Sequence, residues 1–184
     1  MSLPAPLQGI RILDFTWVRS GPWSTRWLGA FGAEVIKVQW PANLGIGGPP
    51  RAAGPGERPP DPNENSGFID CNINKLSITI NVRSPRGLEL MKALLAKSDV
   101  VIENFRAGVI DRWGLSFEEM KQIKPDIIYV SMAGFGHTGP QVPYAIVGQS
   151  TQALSGLNFL SGFPDKPPAG WGYSYMDDMA GMYA

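Results

Sequence analysis

Asp177 and Asp178 stand side by side just ahead of Ala180-Gly181. Two carboxylates at the opening of a helix have a plain explanation, since acids in a first turn are favoured by the positive end of the helix dipole. They also have a chemical one: a carboxylate can attack an activated carbonyl carbon and form a covalent intermediate. The residues alone leave both open. Lys75, Arg106 and Arg112 lie close to the ends of expected strands, with Asn104-Phe105 between them. Cations pair with phosphate and a flat aromatic face packs against a base, so this set could hold an adenine nucleotide. A solvated charged rim is the alternative.

Gly134-Phe135-Gly136-His137-Thr138-Gly139 follows an apolar run and has the G-x-G-x-x-G spacing. Pro140 and Pro143 come at once where a dinucleotide site needs a helix, and no acidic residue ends a following strand at the expected distance. NAD and FAD are therefore not expected. The glycines can still bring main-chain N–H groups close to a ligand, which makes Gly136, His137 and Gly139 oxyanion or loop candidates. An ordinary tight connection is the other explanation. His137 is the only histidine and Cys71 the only cysteine. No G-x-S-x-G elbow is present, so a hydrolase triad is disfavoured, and a zinc site of the usual nitrogen and sulfur type is excluded.

The elements that must position these residues alternate. Ile10 to Phe15 reads as a strand, Pro22 to Phe31 as a helix opened by its proline, and Glu34 to Gln39 as a second strand. Leu76 to Val82 is a further strand. Ser84 then caps a helix with Pro85 at its first position and an apolar stripe at Leu88, Met91 and Leu95. Asp99 to Asn104 is the next strand. Ser116 with Glu119 has the capping-box spacing, stapled by Leu115 and Met120, and that helix stops before Pro125. Asp126 to Met132 is the last strand, and Asp177 to Ala184 begins a final helix. This alternation predicts an α/β fold, Rossmann-like, with an open, mostly parallel sheet and helices on both faces. Ligands then bind beyond the carboxyl ends of the strands, where Thr16 to Gly21, Asn104 to Arg112 and Gly134 to Pro140 fall. Residues 40–66 form a long Gly/Pro-rich loop.

The chain has 184 residues, 43% of them apolar, and 16 basic residues balance 16 acidic ones. That suits one globular domain with no overall bias toward nucleic acid or membrane. Met1 to Gln8 lacks the pattern of a signal peptide, and no apolar run could span a bilayer, so a cytoplasmic protein is expected.

A set of motifs in fixed order is more specific than any one of them. Leu7-Gln8-Gly9-Ile10-Arg11-Ile12-Leu13-Asp14 comes first, then Ser20-Gly21-Pro22, then Phe31-Gly32-Ala33-Glu34-Val35-Ile36-Lys37-Val38. Asn74-Lys75, Val101-Ile102-Glu103-Asn104-Phe105-Arg106-Ala107-Gly108-Val109, Arg112 and the Gly134-to-Pro140 loop follow. Ala153-Leu154-Ser155-Gly156-Leu157 and Asp177, four residues ahead of Gly181, complete them. In these the chain resembles the family III CoA-transferases, the group containing formyl-CoA transferase, carnitine CoA-transferase and the methylacyl-CoA racemases. The resemblance implies transfer of coenzyme A from an acyl-CoA to a carboxylic acid, with Asp177 as nucleophile, through a mixed anhydride and an aspartyl-CoA thioester. It places Lys75, Asn104, Phe105 and Arg112 against CoA, and puts Arg19 where some members carry a catalytic-site glutamine. CoA enters as a substrate, and no metal or redox cofactor is implied.

Departures from the pattern inform as well. Val147-Gly148 stands where racemase members carry a His-Asp pair, Trp40 replaces an arginine found near CoA in some members, and His137 stands where glutamine is common. The stretch Gly172 to Asp177 is closest to members acting on succinyl or aromatic acyl-CoA. Members are roughly twice this length and form interlocked homodimers. The 184 residues are thus expected to be the N-terminal CoA-binding α/β portion of a longer chain; a non-catalytic CoA- or nucleotide-binding fragment is the first alternative, and an acyl-CoA racemase, disfavoured by the missing His-Asp pair, the second.

Overall fold

The computed structural model describes residues 4–40 and 66–184. The long Gly/Pro-rich loop expected over 40–66 falls, but for its two end residues, outside them.

Five strands, β1 (Arg11–Asp14), β2 (Glu34–Gln39), β3 (Leu76–Thr79), β4 (Val100–Glu103) and β5 (Ile128–Ser131), form one sheet in the order β3-β2-β1-β4-β5. Every pairing is parallel, with Ile12 opposite Val35 and Leu13 opposite Val101. Residues alternate between the two faces of a strand, so neighbours in sequence feed different cores. Ile12, Val35 and Ile102 pack with Leu28 of helix α1 (Ser20–Ala30) on one face. Leu13, Ile36 and Val101 pack on the other with Met91 and Leu95 of α3 (Pro85–Leu95) and Met120 of α4 (Phe117–Ile123). Helices on both faces explain why the central strands are apolar almost throughout.

Local signals account for the helix ends. Ser84 Oγ accepts from the Gly87 N–H at 3.1 Å, and Pro85 opens α3. At α4 both halves of the capping box close: the Ser116 hydroxyl accepts from the Glu119 N–H, and the Glu119 carboxylate accepts from the Ser116 N–H at 2.8 Å. Leu115 and Met120 are fully buried.

Some boundaries differ from expectation. Helix α1 begins at Ser20, two residues before Pro22, because a proline is tolerated anywhere in a first turn, where N–H groups have no intrahelical partner. β3 stops at Thr79, three residues short, and β5 spans four residues of the seven expected. Cys71 lies in a short helix, α2 (Ser66–Asn72). After β5 come α5 (Gly148–Leu154), α6 (Leu157–Leu160) and α7 (Tyr175–Tyr183). α7 crosses the start of α1 closely: a Cβ on Gly181 would overlap the Ser20 carbonyl oxygen and lie 3.2 Å from the Ser24 nitrogen.

Candidate active site

The strand order reverses direction between β1 and β4, and an open parallel sheet leaves its ligand crevice at such a point. Asn104, just past β4, bridges it. Its side-chain oxygen accepts from the Trp17 N–H at 2.7 Å, while its amide donates to the Trp17 carbonyl at 2.8 Å and to Ser20 Oγ at 3.1 Å. Val18 follows with φ +63°, a conformation costing a β-branched residue about 1–3 kcal/mol. This turn leads directly to Arg19 at the head of α1.

A cavity of about 910 Å³ opens here, walled by Trp17, Phe105, Gly134, Trp171 and Tyr175, with Asp177 in its lining. The two adjacent acids have separate fates. Asp178 is gripped by Arg19, which donates from Nε at 2.6 Å and from Nη2 at 3.1 Å. Arg19 also lies 3.6 Å from Asp70 and over the Trp23 ring. Asp177 has no cation within ion-pair distance among the described residues. Burial pushes its carboxyl above the usual range and Asp178 adds to the rise; the Ser174 hydroxyl, the Gly148 N–H and Arg19 pull the other way. Ser174 in turn accepts from Gln149 Nε2 at 3.0 Å. A half-buried carboxylate kept from a counter-ion and facing a cavity is suited to nucleophilic attack.

The other sequence-derived candidates separate into four groups. Asn104 and Phe105 line the Asp177 cavity. Arg112 lines a different one, of about 710 Å³, with Arg83, Trp113 and the start of α3. The two are joined by aromatic edges, since Phe105 meets Trp17 at 5.3 Å and Trp113 at 5.2 Å between ring centroids. Arg83 stacks over Trp40, which brings a cation to the residue that stands where some members carry an arginine.

Lys75 is turned inward. Its side chain is 1% exposed, and its ammonium donates at 3.0 Å to Asp14 Oδ2, to the Pro22 carbonyl and to Asn72 Oδ1. All three N–H bonds are used inside the protein, so this side chain holds β1, α1 and α2 together. Asp14, fully buried, also accepts from the Thr16 N–H, the Thr16 hydroxyl and Thr25 Oγ1, with Lys37 at 3.9 Å. Burial alone would raise the Asp14 carboxyl; Lys37 and Lys75 overcome it and hold it at about 2. Burial brings Lys37 down to about 8.

In the glycine loop, Gly134 reaches the Asp177 cavity, while Gly136 lines a smaller hollow beside it. Gly136 and Gly139 both have positive φ, +72° and +96°, so they serve the turn itself. His137 Nε2 lies 2.8 Å from Ser131 Oγ. The Ser131 hydroxyl donates to the buried Glu103 carboxylate, which also accepts from Tyr129 at 2.9 Å and the Phe105 N–H at 2.7 Å. His137 therefore ties the loop to the sheet. Sequence reasoning missed this anchor, the Arg19–Asp178 pair and the Asp14 cluster. Only Asp14-x-Thr16 carried a local signal, a carboxylate two residues before a hydroxyl and N–H that can fold back on it. Among the described residues no helix is long and apolar enough to cross a membrane, and no group of three His, Cys, Asp or Glu could hold a metal ion.

Known proteins resemble this chain in sequence and in fold. The chain is 41% identical over 179 residues to the succinyl-CoA:glutarate CoA-transferase of Mus musculus, covering 97% of this chain and 40% of that one. It is 39% identical to the succinyl-CoA–D-citramalate CoA-transferase of Chloroflexus aurantiacus, covering 98% and 44%. The chain thus spans less than half the length of these curated relatives. A crystal structure of a CAIB/BAIF family protein from Brucella suis superposes with a TM-score of 0.83 at 38% identity, over 98% of this chain and 47% of that one. The profile of CoA-transferase family III matches residues 7–184, and the chain belongs to that family.

Proposed function

We propose that the protein carrying this chain transfers coenzyme A from an acyl-CoA donor to a carboxylic acid, with Asp177 as the covalent nucleophile. The observation that carries this reading is the division of labour at 177 and 178. One carboxylate is neutralised by Arg19, and the other lines the cavity with no ion pair among the described residues.

In the proposed sequence an Asp177 oxygen bonds to the thioester carbonyl carbon, the C–S bond breaks, and CoA leaves as thiolate from a mixed anhydride. The thiolate attacks Asp177 Cγ and expels the donor acid, which leaves an aspartyl-CoA thioester. The acceptor carboxylate attacks Cγ and releases the thiolate again; the thiolate then takes the acyl group from the second anhydride and frees Asp177. Each step breaks one acyl bond as it forms another, so the activated acyl group is conserved and the exchange balances without an oxidant. The oxyanions formed at each attack need hydrogen-bond donors beside the carboxylate; the Gly148 main chain lies against Asp177, and Gly134 lines the same cavity.

CoA is long, and two cavities joined along Trp17, Phe105 and Trp113 suit it. The Arg83–Arg112 cavity offers cations for its phosphates and the Asp177 cavity takes the thioester. The sequence-level assignment of Asn104, Phe105 and Arg112 to CoA is kept in this reading; Lys75 is a support instead. Phe159, Leu160, Phe163 and Tyr183 are each more than three-quarters exposed, which favours further protein over α6 and α7, as an interlocked homodimer would supply.

The test is to incubate the intact protein with a panel of acyl-CoA donors and hydroxylamine and to map the product. A hydroxamate on Asp177, lost together with acyl exchange in Asp177→Ala, is expected. Exchange that persists in Asp177→Ala refutes the assignment.

A further inference from the structure

Gly148 opens α5, 29 positions before Asp177 in sequence, yet it lies against that carboxylate. A Cβ built on Gly148 would overlap Asp177 Oδ2 and stand 2.9 Å from Asp177 Cγ and 3.3 Å from Ser174 Cβ. The close approach is to the tip of a side chain, not to main chain. A larger residue at 148 would leave the backbone in place and displace the carboxylate.

The surroundings hold the carboxylate from two sides. The Gly148 main chain lies against it from α5, and the Ser174 hydroxyl, on the residue before α7, joins the Gly148 N–H in pulling its pKa down. Gln149, next to Gly148, donates to Ser174 Oγ at 3.0 Å, which turns the serine proton away from itself and toward Asp177. Ser174 makes no side-chain cap on α7, so its hydroxyl is free for this contact. Two consecutive residues of α5 thus orient one acid of α7.

We propose that Gly148 is a positioning residue for the nucleophile: by lacking a side chain it lets Asp177 Oδ2 rest against the main chain and presents Oδ1 to the acyl carbon. The proposal rests on the reading of Asp177 as the nucleophile and adds what fixes its aim.

The test uses Gly148→Ala in the intact protein. Expected is a fall of about a hundredfold in the single-turnover rate of hydroxamate formation on Asp177, the loss that a misplacement of about 1 Å produces. KM for the acyl-CoA should stay within about threefold, because the remote CoA contacts are untouched. A second measurement guards against a merely structural effect. Gly148→Ala should lower the unfolding midpoint less in an Asp177→Ala background than in the wild type, since the overlapped carboxylate is then gone. Hydroxamate forming at the wild-type rate in Gly148→Ala, or midpoints that add without interaction, overturns the proposal. Interacting midpoints with no hydroxamate on wild-type Asp177 would sink the nucleophile reading and its catalytic consequence, while upholding the contact.

Discussion

Lys75 separates two ideas about the same residue. A lysine near a strand end could reach out to a CoA phosphate, or it could hold the protein together from within. Replacing it with Met keeps most of the stem and removes the ammonium. The loss can be worked from its three contacts. The 3.0 Å bond to the Asp14 carboxylate is charge-assisted and contributes about 1.5–3 kcal/mol, and the Pro22 carbonyl and Asn72 amide oxygen each lose a donor worth about 1 kcal/mol. Against this, the cost of burying the ammonium disappears; it is that burial which lowers the Lys75 pKa. Lys37 remains 3.9 Å from Asp14, so the carboxylate is not left wholly unpaired. The net loss is about 2–3 kcal/mol, a large part of the roughly 5–15 kcal/mol that holds a typical domain folded. Asp14→Ala should cost more, about 3–5 kcal/mol, because it leaves two buried lysines facing each other. Urea unfolding measures stability and calorimetric titration measures CoA affinity. If Lys75→Met unfolds within about 1 kcal/mol of wild type while CoA affinity drops tenfold or more, the ammonium serves the ligand and the reasoning is wrong.

As the proposed nucleophile Asp177 would have to be ionised to attack, and its carboxyl is raised by burial, so kcat/KM should fall on acidification at a pH above the value of about 3.9 for a free aspartate; a profile flat through pH 4–6 contradicts this. The same shift has a stability sign. A carboxyl raised in the folded state favours folding below its unfolded pKa and loses that contribution as pH rises through the folded one. Asp177→Asn should therefore melt above wild type at pH 7, and the gap should close below about pH 4. Gly181→Ala would push α7 off α1 at the Ser20 carbonyl, a main-chain atom that cannot swing aside, and should cost about 1–3 kcal/mol in urea unfolding while exchange also drops.

How much could be read from sequence depended on how local the cause was. Ser84-Pro85 and the Ser116–Glu119 box announce helices because the groups that form the caps lie within three residues of each other. Helix α2 gave no such signal. It is seven residues long and is tied to α1 by Arg26 donating to Asp70 at 2.6 Å, 44 positions away. Lys75 was legible as a charge but not as an inside charge. Its direction follows from the turn before β3, where Asn74 takes φ +59°, and from an Asp14 that lies 61 positions earlier. The Arg19–Asp178 pair spans 159 positions. Asp177 was reached through the ordered set of motifs, since two adjacent acids at a helix start do not say which one is held and which is free.

That ambiguity has a local physical resolution. Ser174-x-x-Asp177 has the same spacing as Ser116-x-x-Glu119, and a capping box is the default outcome of that spacing. At α4 the serine is extended, φ −62° and ψ 161°, and the box closes. At α7 Ser174 has φ −85° and ψ 58°, a geometry from which its hydroxyl makes no bond to the helix N–H groups. With the box open, the Asp177 carboxylate meets the Ser174 hydroxyl, Gly148 and the cavity. Asp178, one residue further and so turned about 100° around the helix, points to Arg19. An unclosed cap and an arginine on the neighbouring acid together leave one carboxylate available for covalent chemistry.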